Sequence, residues 1–191
     1  MELLRVNTTN PYYAEAEDLM KDAFPPEERR PLAEQRDYAD HNPLFRPHVV
    51  LDNGKFAGLL NFWQLDGFLY AEHLATLPAL RGGGLGKRIM EQFIQLAGQL
   101  PIVLEVEPPT DDLKRRRIGF YQRCGFTLWE RTYTQPPYST ALPAIPLRLM
   151  VHGQLDETRD FTHICHEIYH HVYGCTPAMA GQLLNDTSWN P

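Results

Sequence analysis

Arg81-Gly82-Gly83-Gly84-Leu85-Gly86-Lys87 decides how this chain is read. Ahead of it, residues 68–76 read as a strand. Behind it, 84–97 read as a helix, with Leu85, Ile89, Phe93 and Leu96 on one face. Four glycines in five positions are costly to order, and packing alone is a poor reason for them. A strand, a glycine turn and a helix N-terminus together make an anion site. The first N–H groups of the helix lack intrahelical partners, and the helix dipole adds partial positive charge there. Glycine removes the side chains that would keep a phosphate from those donors. The competing reading is a tight strand-to-helix turn and nothing more. The stretch is neither a nucleotide P-loop nor the dinucleotide fingerprint, which would need glycine where Lys87 or Ile89 stands.

The flanks predict how this turn is mounted. Residues 2–6 read as a first strand and 11–24 as a helix, with Tyr12, Ala16, Leu19, Met20 and Ala23 at helical spacing. The charged segment 27–40 holds room for a short helix at 32–38. Strands at 48–51, 56–65 and 68–76, joined by Asp52-Asn53-Gly54-Lys55 and Asp66-Gly67, form an antiparallel meander. After the glycine helix comes a short β-branched strand at 101–107, then a helix to Arg123 with Thr110 as its cap. Strand, helix, strand describes a crossover, so the strands on either side of it should run parallel and adjacent. A strand from 126 to 133, a last strand at 146–151 and a helix at 156–173 complete the reading, with an irregular end after Gly174. One mixed α/β domain over 1–191 is expected, with its core at 2–152 and a C-terminal helical extension at 153–191.

Arg81, Gly84 and Gly86, with Leu74-Ala75-Thr76-Leu77-Pro78 leading in, resemble the R-x-x-G-x-G pyrophosphate loop of the GNAT superfamily of N-acyltransferases. Ile118-Gly119-Phe120-Tyr121-Gln122-Arg123-Cys124-Gly125-Phe126 resembles that family's second signature, F-Y-x-x-x-G-F at a helix end. The chain departs from the pattern at Lys114 and Arg117, where many relatives carry Asn and Ala. The resemblance implies a largely antiparallel mixed sheet with a parallel pair at the cofactor site, and acetyl-coenzyme A as co-substrate. It implies that Arg81, Gly82, Gly83, Gly84, Leu85, Gly86 and Lys87 hold the pyrophosphate, and that backbone groups of Leu74, Ala75 and Thr76 pair with the pantetheine arm. It assigns Tyr121 as general acid for the departing thiolate.

Acyl transfer to an amine also needs the amine deprotonated. Glu72 and His73 are the nearby candidates on the strand, and the resemblance favours Glu72, acting directly or through water. Arg115, Arg116 and Arg117 are candidates for the ribose phosphate, with a solvated helix face as the alternative. The loops at 25–45 and 133–145 should shape the acceptor pocket, for a small-molecule or peptide amine. The extension could pack on the sheet, close a pocket or make a homodimer contact.

The other function classes are read against this. A net charge of −6 over 191 residues argues against a nucleic-acid surface. No apolar run approaches the ~20 residues of a membrane span, and 1–20 lack signal-peptide shape. Three cysteines, Cys124, Cys165 and Cys175, are too few and too odd for a disulfide framework and suggest reduced thiols in a cytoplasmic protein. His166-Glu167-Ile168-Tyr169-His170 is a literal H-E-x-x-H, the zinc-hydrolase pattern. A peptidase would need a third ligand further on, and only Asp186 follows Cys175 as an acid, so no metal is expected. A non-catalytic acyl-coenzyme A binding or sensing module is the other rival, against which Tyr121 stands.

Overall fold

The hairpin expected at 52–55 is present in the computed structural model, which describes residues 1–139 and 141–185. Asp186, named above as the last acid, lies outside the described residues. The chain forms two compact units, Met1–Gln64 with Ala71–Gly98, and Leu65–Tyr70 with the chain from Gln99 onward.

In the first unit the strands are neighbours in the order β1 (Glu2–Arg5), β2 (Phe45–Asp52), β3 (Lys55–Leu65) and β4 (Phe68–Thr76). β2 pairs antiparallel with β1, Glu2 opposite Leu51, and with β3, Asp52 opposite Lys55. Asn53 and Gly54 both take positive φ, 52° and 74°, which the two-residue turn requires. Alternation along β3 divides the core. Leu59 joins Val49, Leu51 and Phe56 against Leu19 and Met20 of α1 (Tyr13–Ala23). Phe62, one step out of phase, meets Phe93 of α3 (Leu85–Ala97) with ring centres 4.8 Å apart. α2 (Leu32–His41) stands where the short helix at 32–38 was expected in the charged segment, one turn longer. Leu96, assigned above to the apolar face of α3, is 49% exposed. The inward positions step by four through Leu85, Ile89, Phe93 and Ala97, with Met90 beside them.

In the second unit the order is β4, β5 (Ile102–Val106), β8 (Ile145–His152) and β6 (Thr127–Leu128), while β7 (Tyr133–Gln135) pairs with β8. β4 and β5 are parallel, joined where Leu69 N–H donates to the Pro101 carbonyl at 2.9 Å. β8 is antiparallel to β5, Ile102 opposite His152 and Glu105 opposite Leu149. The helices are α4 (Asp112–Arg123), α5 (Glu157–His171) and α6 (Pro177–Asn185). Three expectations are corrected here. Asp111, not Thr110, caps α4, its carboxylate accepting from Lys114 N–H at 2.9 Å. The strand expected over 126–133 is interrupted, because Arg131 N–H donates to the Glu157 carboxylate at 2.6 Å instead of to the ladder. The segment after Gly174 is helical, its first turn set by Pro177 and by Ala180 N–H donating to Thr176 at 3.0 Å. α5 runs from its Asp156 cap and buries Phe161, Ile164, Cys165, Ile168 and Tyr169.

The fold class is mixed α/β, a mostly antiparallel sheet with one parallel pair, flanked by helices. No helix among the described residues is long and apolar enough to cross a membrane.

Candidate active site

The glycine stretch follows a short 3-10 turn, Pro78–Leu80, in which Leu80 N–H donates to Leu77 at 2.9 Å and Arg81 N–H to Pro78 at 3.2 Å. Gly82 and Gly84 then take φ of 83° and 76°, the left-handed region that a β-branched residue resists. Gly84 is the N-cap of α3 and offers no side-chain oxygen to the helix. The first helical amide with a backbone partner is that of Arg88, bonded to the Gly84 carbonyl at 3.2 Å. Among the described residues, the N–H groups of Gly82 through Lys87 donate to none. Residues 81 to 84 are exposed, at the positive end of a 13-residue helix. Such a row of amides fits a pyrophosphate, which carries several acceptor oxygens and negative charge. Leu74, Ala75 and Thr76 close β4 just before it, and Leu77 N–H donates to the Ala57 carbonyl of β3 at 3.0 Å.

Glu72 occupies a different kind of site. Its side chain is 1% exposed and paired with the Arg30 guanidinium, which is equally buried. Arg30 Nη2 donates to Oε1, Nη1 donates to Oε2 at 3.1 Å, and Trp63 Nε1 donates to Oε2 at 2.9 Å. Arg30 also donates to Gln35 Oε1 at 2.8 Å and lies 5.2–5.4 Å from the ring centres of Tyr38, Phe45 and Trp63. Burial alone would favour the neutral carboxyl. The Arg30 charge, with His73 and the two hydrogen bonds behind it, overcomes that and holds Glu72 below the usual carboxylate range. His73 is 2% exposed, and burial pulls it below the ordinary histidine value; its Nε2 meets the Glu28 carbonyl at 2.9 Å. The base role expected of Glu72 therefore does not fit its surroundings: both oxygens are engaged, and a low pKa disfavours taking up a proton near neutral pH.

Tyr121 lies in the last turn of α4, half-buried, with Ile118 anchoring the same helix. Phe120 and Phe126 flank its ring at 5.1 and 5.8 Å. The carbonyl of Tyr121 accepts from Cys124 and Phe126 N–H at 2.9 and 3.1 Å, fixing the helix end. Burial raises its hydroxyl above the ordinary tyrosine range, against the lowering influence of Arg117. It therefore holds its proton at neutral pH, as an acid must. Of the three arginines, Arg115 is tied to Asp112 at 2.8 Å and Arg117 to Glu107 at 3.0 Å.

The H-E-x-x-H helix is α5. His166 and His170 are exposed, and Glu167 accepts from Asp66 N–H at 3.2 Å and lies 3.6 Å from His171 Nε2. The face that packs is the Ile164, Ile168, Val172 row expected from the periodicity. Among the described residues no group of three or more His, Cys, Asp or Glu is placed to hold a metal ion. Changing His166 and His170 together to Gln should shift stability by no more than about 0.5 kcal/mol, as for ordinary surface positions. A urea titration checks this, and a loss of several kcal/mol would show a role the geometry lacks.

Sequence reasoning missed Arg30. It stood in a charged segment beside Arg29, and only the aromatic residues Tyr38, Phe45 and Trp63, scattered in sequence, mark it as the buried one.

The family model for the GNAT acetyltransferase family matches residues 13–126, more than half of the chain. A solved structure from Bacteroides thetaiotaomicron, described as a GNAT-family acetyltransferase, is 42% identical, with TM-score 0.89, over 92% of this chain and 100% of that one. An acetyltransferase from Streptococcus agalactiae shares the fold at 23% identity and TM-score 0.58, over 80% of this chain and 98% of that one. A spermidine N-acetyltransferase from Vibrio cholerae does so at 15% identity and TM-score 0.58, over 80% and 94%. No curated protein matches the sequence. On the family match and the 42% identical structure, the chain belongs to the GNAT acetyltransferase family.

Proposed function

We infer that this protein is an N-acetyltransferase that takes the acetyl group of acetyl-coenzyme A and passes it to the amine of a small molecule or peptide. The observation that carries the reading is the row of six consecutive amides, Gly82 to Lys87, that donate to no described residue at the head of α3. Acetyl-coenzyme A supplies the activated thioester. Residues 81–87 hold its pyrophosphate, and the backbone of Leu74, Ala75 and Thr76 orients the pantetheine. Tyr121 gives its proton to the thiolate as it leaves, the role in which a hydroxyl held protonated by burial is useful. Glu72 enters this proposal as a positioning residue: its bonds to Arg30 and Trp63 fix the strand that carries 74–76. A cytoplasmic setting fits acetyl-coenzyme A as co-substrate and three free cysteines.

A thiol-release assay with acetyl-coenzyme A and an amine panel tests the activity. Turnover with no amine would sink it, and binding without turnover would favour the sensing module. Gly84→Val tests the cofactor site separately. Valine at φ 76° is strained, and its side chain would stand before the donors. Acetyl-coenzyme A affinity, read by calorimetry, should fall by about 2–4 kcal/mol, the loss of one or two charge-assisted hydrogen bonds. Unchanged affinity in a folded variant would place the pyrophosphate elsewhere.

A further inference from the structure

The second unit holds a carboxylate ringed by tyrosines that no role assigned so far uses. Glu105 of β5 stands opposite Leu149 of β8, and Tyr133 of β7 opposite Leu147. Leu147 and Leu149 are two positions apart on β8, so Glu105 and Tyr133 leave the same face of the sheet. Tyr169 lies in α5 and Tyr173 just past its end, four residues on. Tyr173 donates to Glu105 Oε2 at 3.1 Å and approaches Oε1 at 3.3 Å. The Tyr70 hydroxyl is 3.4 Å from that of Tyr173, and the Tyr138 ring centre is 4.9 Å from the Tyr173 ring. The Tyr133 ring is 5.4 Å from that of Tyr169, whose hydroxyl is used, donating to the Thr134 carbonyl at 2.8 Å.

Tyr133 is the exception in this cluster. It is 2% exposed, and its buried hydroxyl makes no hydrogen bond among the described residues. Burial raises it well above the tyrosine range, with the charge of Glu105, on the same face of the sheet, as the next contributor. A buried hydroxyl without a partner is destabilising, and phenylalanine would fill the same space without that cost. The hydroxyl makes sense when a ligand supplies the missing group. Glu105 is only partly buried. A carboxylate set among aromatic rings favours a cation, by charge and by the negative faces of the rings.

We propose that this cluster binds the ammonium group of a primary alkylamine. Glu105 meets the charge, the Tyr133 hydroxyl accepts one ammonium N–H, and Tyr70, Tyr138 and Tyr173 form the aromatic wall. The inference rests on the N-acetyltransferase reading, in which this amine is the acceptor.

The test uses the full chain without acetyl-coenzyme A and two probes, n-butylammonium chloride and n-butanol, titrated by NMR at constant salt. n-Butylammonium should bind at least about tenfold tighter than n-butanol, and Glu105→Gln should abolish that preference while leaving n-butanol unchanged. Tyr133→Phe should weaken n-butylammonium by about three- to tenfold while the melting temperature holds or rises, since the free protein loses no hydrogen bond. Should Glu105→Gln fail to fold, the Tyr133→Phe pair of readings decides alone. Equal binding of the two probes overturns the proposal, and so does a Tyr133→Phe protein that melts lower and binds as before. Calorimetry with acetyl-coenzyme A separates the two readings. A chain that binds acetyl-coenzyme A but prefers neither probe loses this inference and keeps the proposed function, and the reverse pattern does the opposite.

Discussion

Glu72→Gln should lower the free energy of unfolding at pH 7 by about 3–5 kcal/mol, the range for breaking a buried ion pair from one side. Gln keeps the shape and can still accept one hydrogen bond. What it removes is the charge that stabilises a guanidinium 1% exposed among Tyr38, Phe45 and Trp63. The cost is mainly Arg30's, left in a low-dielectric surround without its carboxylate. Arg30→Met combined with Glu72→Leu should therefore recover most of the loss, because neither desolvated charge remains. The pH dependence has a definite sign. Glu72 is held below the ordinary carboxylate range, so its contribution is present above the unfolded value, about pH 4.3, and fades as pH falls through the folded one. Urea titrations at pH 7 and near pH 3 should show wild type losing more stability between them than Glu72→Gln does. A single variant within about 0.5 kcal/mol of wild type at pH 7 would remove the buried pair from the account.

That ion pair also marks where reading the sequence stops. The glycine stretch was legible because Gly at φ 83° and 76° leaves a compositional trace, and the Asn53-Gly54 hairpin for the same reason. The meander was legible from its turns, the crossover from the order strand, helix, strand, and α5 from periodicity, since that helix buries one regular face. Leu96 was misplaced because three- and four-residue steps cannot be told apart until the partner, here Phe62 against Phe93, fixes the helix's rotation. The strand over 126–133 was overread because Glu157, far away in sequence, captures the Arg131 amide. Glu72 was assigned as a base because its place on the strand is all the sequence gives. Its partners, Arg30 and Trp63, come from 42 and 9 residues away, and only the fold reveals that they occupy its oxygens. The tyrosine cluster has the same character, with Tyr70, Glu105 and Tyr133 drawn from three strands and Tyr173 from the turn after α5.

Tyr121→Phe should lower kcat by about 10²–10⁴-fold at a working amine concentration, the usual cost of deleting a general acid. The change keeps the ring, and so its contacts with Phe120 and Phe126 at 5.1 and 5.8 Å, and the backbone bonds that end α4 do not involve the hydroxyl. Folding and acetyl-coenzyme A affinity should therefore hold. A fall in kcat and kcat/KM together, with cofactor affinity unchanged, is the signature of an interaction made mainly in the transition state. The Tyr121 hydroxyl's pKa lies above the ordinary tyrosine range, because burial outweighs Arg117. In wild type the acid should thus stay protonated across the neutral range, and the pH–rate profile should show no alkaline limb below about pH 10 from this group. The acceptor amine should instead govern the acidic limb, and that limb should persist unchanged in Tyr121→Phe. Thioesters with better leaving groups provide the sharper test. If Tyr121 protonates the thiolate, the defect should shrink as the leaving thiol becomes more acidic, since a stable thiolate needs no proton from the protein. A defect that stays constant across such a thioester series would make Tyr121 a packing residue, and a variant that turns over like wild type would remove it from the chemistry altogether.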